Sequence, residues 1–87
     1  HSYRVDVHVT GTVDEYSGMV IDFFDVDDAF EPVMAALDHQ VLNEVPGLEN
    51  PTAENIAVWI WNALSSVEGL SEIVVHETEY SRAIFTG

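Results

Sequence analysis

The adjacent residues Asp38 and His39 are the first candidate for a catalytic pair, because their side chains are of the types used in acid–base catalysis. A carboxylate can orient a neighbouring imidazole so that the imidazole acts as a general acid or base. The alternative is that the pair ends a helix, where the helix dipole favours a cationic histidine. Because adjacent side chains rarely face each other in regular structure, the spacing alone favours the capping interpretation.

The second candidate is Glu77, which follows Ile73 and Val75 at alternate positions of an apolar segment. In a strand these three side chains would share one face, and a carboxylate aligned with core residues needs a partner or a ligand. The paired N–H groups on the edge of a pterin or guanine ring would suit a carboxylate as bidentate donors. A glutamate at the strand end, in contact with solvent, explains the pattern equally well.

Histidine offers a third possibility, a metal site. His1 heads the first alternating segment, but His8 is seven residues further on and would lie on the opposite face of a strand. A metal ion needs several donors, so His1 is a poor metal site by itself. We expect His8 and His76, which have polar neighbours, to lie at the surface.

Four predicted strands would position these residues. Residues 2–10 alternate between apolar and polar side chains, which predicts a half-buried strand. Residues 19–23 predict a second strand after a turn, so that 2–23 would form a hairpin. Residues 72–78 predict a third strand, apolar on both faces near its start, and residues 82–86 predict a fourth.

A first helix is predicted between the two pairs of strands. Asp25 could begin it, because acidic side chains in the first turn suit the helix dipole. Apolar residues recur between positions 30 and 37 at the spacing of one helix face. Pro32 would then be interior, so we expect the helix to be kinked there.

A second helix would be capped by Thr52 or Asn50, carry an apolar stripe over residues 56–67 and end at Gly69. The resulting order, β-β-α-α-β-β, predicts a single α+β domain over residues 1–87. Both helices would cover one face of an antiparallel sheet. The open edges of such a sheet could be closed by pairing with neighbouring subunits.

The composition excludes several classes of function. Sixteen carboxylates face two arginines and no lysine, giving a net charge of −14, so a nucleic acid or an anionic membrane surface would be repelled. The chain has no apolar run of membrane-spanning length and no signal-peptide pattern, so a cytoplasmic location is expected. Cysteine is absent, which excludes disulfides and thiolate sites within these residues. The scattered acids indicate a solvated shell, and we hypothesise a salt-rich cytoplasm that screens their repulsion.

Five short motifs follow one another along the whole chain. They are His1-Ser2-Tyr3, Gly18-Met19-Val20-Ile21-Asp22-Phe23, Leu37-Asp38-His39-x-x-Leu42-Asn43, Asn50-Pro51-Thr52-Ala53-Glu54-Asn55 and Glu77-Thr78. Together they resemble the 6-pyruvoyltetrahydropterin synthase family. The resemblance is greatest to the 6-carboxy-5,6,7,8-tetrahydropterin synthase branch of queuosine (7-deazaguanine) biosynthesis, particularly over residues 37–61.

The resemblance implies a tunnelling fold, in which subunits join their sheets into a barrel as homo-oligomeric trimers or hexamers. It implies a zinc ion held by three histidines, of which His1 would be one. Asp38 and His39 would be the catalytic pair that assists a cysteine base, and Glu77 would anchor the pterin ring. The implied activity is that of a zinc-dependent carbon–carbon lyase. Its substrate would be 7,8-dihydroneopterin triphosphate, and its products 6-carboxy-5,6,7,8-tetrahydropterin, acetaldehyde and triphosphate.

The sequence departs from this family in several ways. The family's first strand, its other two zinc histidines and its cysteine have no counterpart in these 87 residues. We therefore expect an N-terminally truncated part of a synthase, inactive by itself. Two alternatives are a 6-pyruvoyltetrahydropterin synthase, which eliminates triphosphate without cutting the side chain, and a non-catalytic pterin-binding subunit.

The charge of the chain is a further departure. Thr86 stands where the family often has a lysine or an arginine. Arg4, Arg82, a divalent cation or high salt would have to offset the negative charge of a bound triphosphate.

Overall fold

The computed structural model describes residues 3–10, 23–38 and 42–87. Its elements, in chain order, are β1 (Arg4–Val9), α1 (Phe23–Leu37), a short 3-10 helix (Leu42–Glu44), α2 (Ala53–Ala63), β2 (Leu70–His76) and β3 (Arg82–Phe85). The three strands form an antiparallel sheet in the order β1-β2-β3. The predicted α+β class is therefore confirmed.

The central strand β2 gives the sheet two different faces. The face that we call the core face carries Val5 and Val7 of β1, Ile73 and Val75 of β2, and Ala83 and Phe85 of β3, which are paired across the strands. The alternate residues form the opposite, polar face: Arg4, Asp6, His8, Glu72, Val74, His76, Arg82 and Ile84. Val74 is only 6% exposed although it lies on the polar face. Its burial reflects a central position, since its register partners are Asp6 in β1 and Ile84 in β3.

Helix α2 packs against β2 and β3 and supplies much of the core. Of the two predicted caps, Thr52 rather than Asn50 is the N-cap, because the Thr52 side-chain oxygen accepts a hydrogen bond from the Asn55 backbone N–H at 3.2 Å. Ile56, Ala57 and Ile60 are each at most 2% exposed. Burying this apolar stripe against the sheet is the main packing interaction that the sequence periodicity predicted.

Two tryptophans of α2 hold neighbouring segments against the helix. The Trp59 indole N–H donates a hydrogen bond to the Pro46 carbonyl oxygen at 3.0 Å. The Trp61 ring meets the Phe85 ring edge to face, with centroids 5.5 Å apart and an interplanar angle of 83°. Trp59 thus fixes the segment that leads into α2, while Trp61 fixes the end of β3.

The prediction that α1 begins at Asp25 is wrong, because the helix already includes Phe23. The apolar residues Phe23, Val26, Phe30 and Val33 are spaced at three and four residues, so the helical periodicity extends back beyond Asp25. Phe23 was also predicted to end a strand, which is wrong for the same reason. The helix continues through Pro32 to Leu37, and the expected kink stays a prediction.

The prediction that α2 ends at Gly69 is also wrong. The helix ends at Ala63, and Leu64 is its C-cap. Ser65 and Ser66 follow, and serine competes for backbone hydrogen bonds in non-helical conformations. The apolar stripe continues beyond the helix, since Leu64 is fully buried and Val67 is 9% exposed.

The remaining boundaries differ by small shifts. Strand β2 runs from Leu70 to His76 rather than over 72–78, and β3 ends at Phe85. The predicted strand at residues 19–22, and with it the predicted hairpin, lies outside the described residues. Neither helix in the described ranges has the length and apolar character needed to cross a bilayer.

Candidate functional site

An open concavity lies at one end of the sheet, where β1 begins and β2 turns into β3. Its lining consists of Tyr3, Arg4, His76, Glu77, Thr78, Glu79, Tyr80, Ser81 and Arg82. The concavity therefore collects Glu77, the predicted pterin-binding residue, and both arginines of the chain. This combination makes it the candidate site.

Backbone hydrogen bonds fix the turn that carries Glu77. The Glu77 N–H donates to the Ser81 carbonyl oxygen at 2.9 Å, and the Thr78 N–H donates to the same oxygen at 3.2 Å. The Tyr80 N–H donates to the Thr78 hydroxyl oxygen at 3.2 Å. Glu77 is thus presented on a short, closed hairpin.

The prediction that Glu77 lies inside the strand is wrong, because β2 ends one residue earlier, at His76. Glu77 is exposed, as the solvent interpretation requires. Its carboxylate makes no hydrogen bond or ion pair within the described part of the chain. A carboxylate in this state can accept two N–H groups of a ligand without first breaking an internal contact.

A charged cluster lies on the polar face beside the concavity, and two of its members, Arg4 and His76, line the concavity. The Asp6 carboxylate lies 2.8 Å from His76 Nε2, and it accepts hydrogen bonds from Arg4 Nε at 3.1 Å and Arg4 Nη2 at 3.2 Å. The contact with His76 joins β1 to β2, and His76 directly precedes Glu77. The hydrogen bonds from Arg4, and secondly the contact with His76, lower the pKa of Asp6 to about 2. The same contact with Asp6 raises the pKa of Arg4.

The two histidines that were predicted to lie at the surface, His8 and His76, differ in their exposure. His8 is exposed, as predicted, and its Nε2 atom lies 3.7 Å from a Glu72 carboxylate oxygen. The His76 side chain is only 18% exposed, so the prediction that it lies at the surface is wrong. The register pairs Arg4 with His76 and Asp6 with Val74, which brings the Asp6 carboxylate within reach of the imidazole.

Asp38 immediately follows α1, at the helix end where the sequence placed it. The Asp38 N–H donates to the Met34 carbonyl oxygen at 2.8 Å, and the residue is exposed. His39 and His1 lie outside the described residues. The acid–base role of Asp38 and His39, like the metal-binding role of His1, therefore stays a prediction.

A metal site would need several donor side chains close together within residues 3–10, 23–38 and 42–87. These residues contain no group of three or more histidine, aspartate or glutamate side chains that could hold a metal ion. A catalytic zinc ion takes three protein ligands, and His1 would supply one. The described residues therefore do not fit a zinc site by themselves.

Sequence reasoning missed Tyr3 and Tyr80 as parts of the site. Tyr80 is 93% exposed, although aromatic residues usually bury much of their area. The short polar segment between two predicted strands could have indicated a turn, but the lining of a concavity depends on which strands are neighbours. That order is a property of the folded sheet.

Comparison with known proteins adds an independent observation. The family model described as 6-pyruvoyl tetrahydropterin synthase matches residues 1–87. The 6-pyruvoyl tetrahydrobiopterin synthase of Poecilia reticulata is 36% identical over 94 residues, which cover 100% of this chain and 64% of that protein. The 6-carboxy-5,6,7,8-tetrahydropterin synthase of Synechocystis sp. is 40% identical over 90 residues, which cover 95% of this chain and 70% of that protein.

A solved structure, that of Caenorhabditis elegans 6-pyruvoyl tetrahydropterin synthase, is similar to this fold with a TM-score of 0.91 and 28% sequence identity. The match covers 100% of this chain and 67% of that chain. The chain spans between 51% and 70% of the length of the curated relatives it matches.

Proposed function

Because this chain belongs to the 6-pyruvoyl tetrahydropterin synthase family, we propose that it forms part of a lyase that acts on 7,8-dihydroneopterin triphosphate. The family match over all 87 residues supports a pterin substrate. The exposed carboxylate of Glu77, held on a closed hairpin within a concavity, is the single structural observation that carries the proposal.

In the proposed site, the Glu77 carboxylate binds the N–H pair on the edge of the pterin ring and fixes the orientation of the ring. Asp38 orients His39, whose imidazole takes a proton from the substrate side chain or returns one to it. The proposal for Asp38 is supported by its anchoring at the end of α1, where its own N–H donates to the Met34 carbonyl oxygen and the exposed residue stays accessible.

The product proposed is 6-carboxy-5,6,7,8-tetrahydropterin, because residues 37–61 most resemble that branch. The alternative product is that of a 6-pyruvoyltetrahydropterin synthase, an activity that the Poecilia relative carries in its name. The two reactions differ in whether the side chain is cut. Release of acetaldehyde by the complete protein would support the first, while elimination of triphosphate without acetaldehyde would support the second.

The proposal also includes a zinc ligand and an oligomeric assembly. His1 is the one residue proposed as a zinc ligand, and the proposed functions of Glu77, Asp38 and His39 do not depend on it. We also propose a homo-oligomer in which subunits pair at strand edges. This assembly is supported by the sheet order, since β1 and β3 are the outer strands of the sheet that the described residues form.

The change of Glu77 to Gln tests the site directly. The variant keeps the shape of the side chain but removes the charge that strengthens the two hydrogen bonds, so we expect neopterin to bind about tenfold more weakly or worse. Neopterin carries the ring without phosphate, and its binding to the complete protein can be followed by the fluorescence of the pterin. The matched control is Glu79→Gln, an exposed carboxylate in the same turn, which should bind neopterin normally. Equal affinities of the two variants would contradict the proposal.

A further inference from the structure

We propose that Arg82 binds the phosphate chain of the substrate, in the same concavity in which Glu77 binds the ring. The inference rests on the proposed function and deepens it, because it assigns the anionic end of the ligand to a residue of this chain.

The distribution of charge leaves few places where an anion could bind. The chain has sixteen carboxylates but only two arginines and no lysine, giving a net charge of −14. Both arginines line the concavity that contains Glu77. A phosphate chain that approached most other surfaces would therefore meet negative charge without a compensating cation.

The two arginines are not equivalent in this concavity. Arg4 donates two hydrogen bonds to Asp6, whose charge offsets that of the guanidinium. Arg82 is exposed and makes no ion pair or side-chain hydrogen bond within the described part of the chain. Among the described residues no group occupies the five N–H donors of its guanidinium, and their planar geometry matches phosphate oxygens.

The register places Arg82 close to the proposed ring site. Arg82 pairs with His76, and Glu77, the next residue, bonds across the hairpin to Ser81. Glu77 and Arg82 therefore belong to the same hairpin, and both residues line the concavity. A ligand with a planar ring and a charged tail could contact both residues at once.

Other charged groups around Arg82 also affect how strongly an anion binds there. His76 of β2 pairs with Arg82 and contacts Asp6 of β1, Arg4 of β1 also lines the concavity, and the turn adds Glu77 and Glu79. Glu79 has no proposed role in ligand binding, and its charge repels an anion. Changing Glu79 to Gln should therefore strengthen the binding of a phosphate chain, by about twofold to threefold, while leaving neopterin binding unchanged.

The experiment compares two probes on the complete protein by titration calorimetry, inorganic triphosphate and neopterin. Arg82→Gln should weaken triphosphate binding about tenfold, because it removes a charge-assisted bidentate contact, and should leave neopterin binding unchanged. Arg82→Lys keeps the charge but loses the planar fork, so an intermediate loss is expected. Unchanged unfolding midpoints would show that the variants remain folded.

A charge-matched control separates local contact from long-range repulsion. Ser66→Asp makes the net charge more negative by one unit, as Arg82→Gln does. Ser66 is exposed and precedes β2 at the far end of that strand, about 20 Å from the concavity. Triphosphate should bind this control within twofold of the unaltered protein.

Each outcome bears on one of the two proposals. Equal losses of triphosphate affinity in Arg82→Gln and Ser66→Asp, or no loss in either, would overturn the assignment of Arg82. Loss of both triphosphate and neopterin binding in a folded Arg82→Gln variant would also overturn it, because the effect would not be specific to the anion. A protein that binds triphosphate through Arg82 but fails to bind neopterin would instead overturn the proposed function and leave the anion site standing.

Discussion

At the scale of single residues, Asp6 carries the clearest electrostatic consequence. Its pKa falls from an ordinary value of 3.8 to about 2 in the folded chain, mainly because Arg4 donates hydrogen bonds to its charged form. The folded state therefore favours the ionised carboxylate. The resulting stabilisation is fully present above about pH 4 and is lost as the pH falls through about 2.

The change of Asp6 to Asn tests this linkage. We expect the difference in the free energy of unfolding between the unaltered chain and the variant to be constant near neutral pH. The difference should shrink between about pH 4 and pH 2, where the carboxyl takes up its proton. Denaturant unfolding at a series of pH values measures it. A difference that persists unchanged down to pH 2 would show that Asp6 stabilises the fold by means other than its charge.

The sequence identified a site residue by its type, but it did not give the exact strand boundary or the contacts between strands. Glu77 was identified from an apolar segment that ends in a carboxylate, but the predicted strand extended to residue 78, two residues beyond its observed end at His76. The contact between His76 and Asp6 was missed, because the two residues are 70 positions apart in the chain. Alternation along one strand shows which residues share a face, whereas contacts across strands depend on the register.

At the scale of elements, two glycines hold backbone conformations that L-residues rarely adopt. Gly47 has a φ of 91° and Gly69 has a φ of 82°. An added Cβ at Gly47 would meet only the Trp59 side chain, at 3.1 Å, whereas at Gly69 it would overlap the backbone oxygen of Thr10. The Thr10 N–H also donates to the Gly69 carbonyl oxygen at 2.8 Å, so the backbone has little freedom to move apart.

We expect Gly69→Ala to destabilise the chain more than Gly47→Ala does. The left-handed conformation alone should cost about 1–2 kcal/mol in each variant. The backbone overlap at Gly69 should raise its total to about 3 kcal/mol or more. Chemical denaturation of the two variants measures the difference. Equal losses would mean that the connection between β1 and β2 adjusts to the added methyl group.

Element types were predicted better than element ends. Helical periodicity identified both helices, and the hydroxyl of Thr52 correctly marked the start of α2. The end of α2 was misplaced because Leu64 and Val67 continue the apolar pattern after the helix has stopped. The apolar pattern reflects burial rather than helix formation. It therefore continues past the end of a helix where the following turn also packs on the core.

At the scale of the whole molecule, the net charge of −14 should destabilise the compact state through self-repulsion. We expect the midpoint of thermal unfolding to rise from dilute buffer to about 1 M KCl, where the screening length is only about 3 Å. A variant with the exposed Glu31 and Glu68 changed to Gln should respond less to salt, because fewer charges repel. An unchanged midpoint would remove the hypothesis of a salt-screened shell.

The fold class followed from the sequence, but the order of the strands did not. The run Ile73-Val74-Val75 indicated a strand buried on both faces, and β2 is indeed the central strand. The sequence contains no equally direct signal that β1 pairs with β2, since most of the chain separates them. The lining of the concavity could therefore not be predicted from the sequence, because residues 3–4 and 76–82 come together only through this pairing.

The different attachments of Trp59 and Trp61 have a spectroscopic consequence. The first indole is tied to the segment before α2 and the second to the end of β3, although they are only two residues apart. Replacing either one with phenylalanine would leave a single emitting ring. The fluorescence of the remaining tryptophan would then report on the loss of one of these two contacts during unfolding. Comparing the two variants would show which contact is lost first.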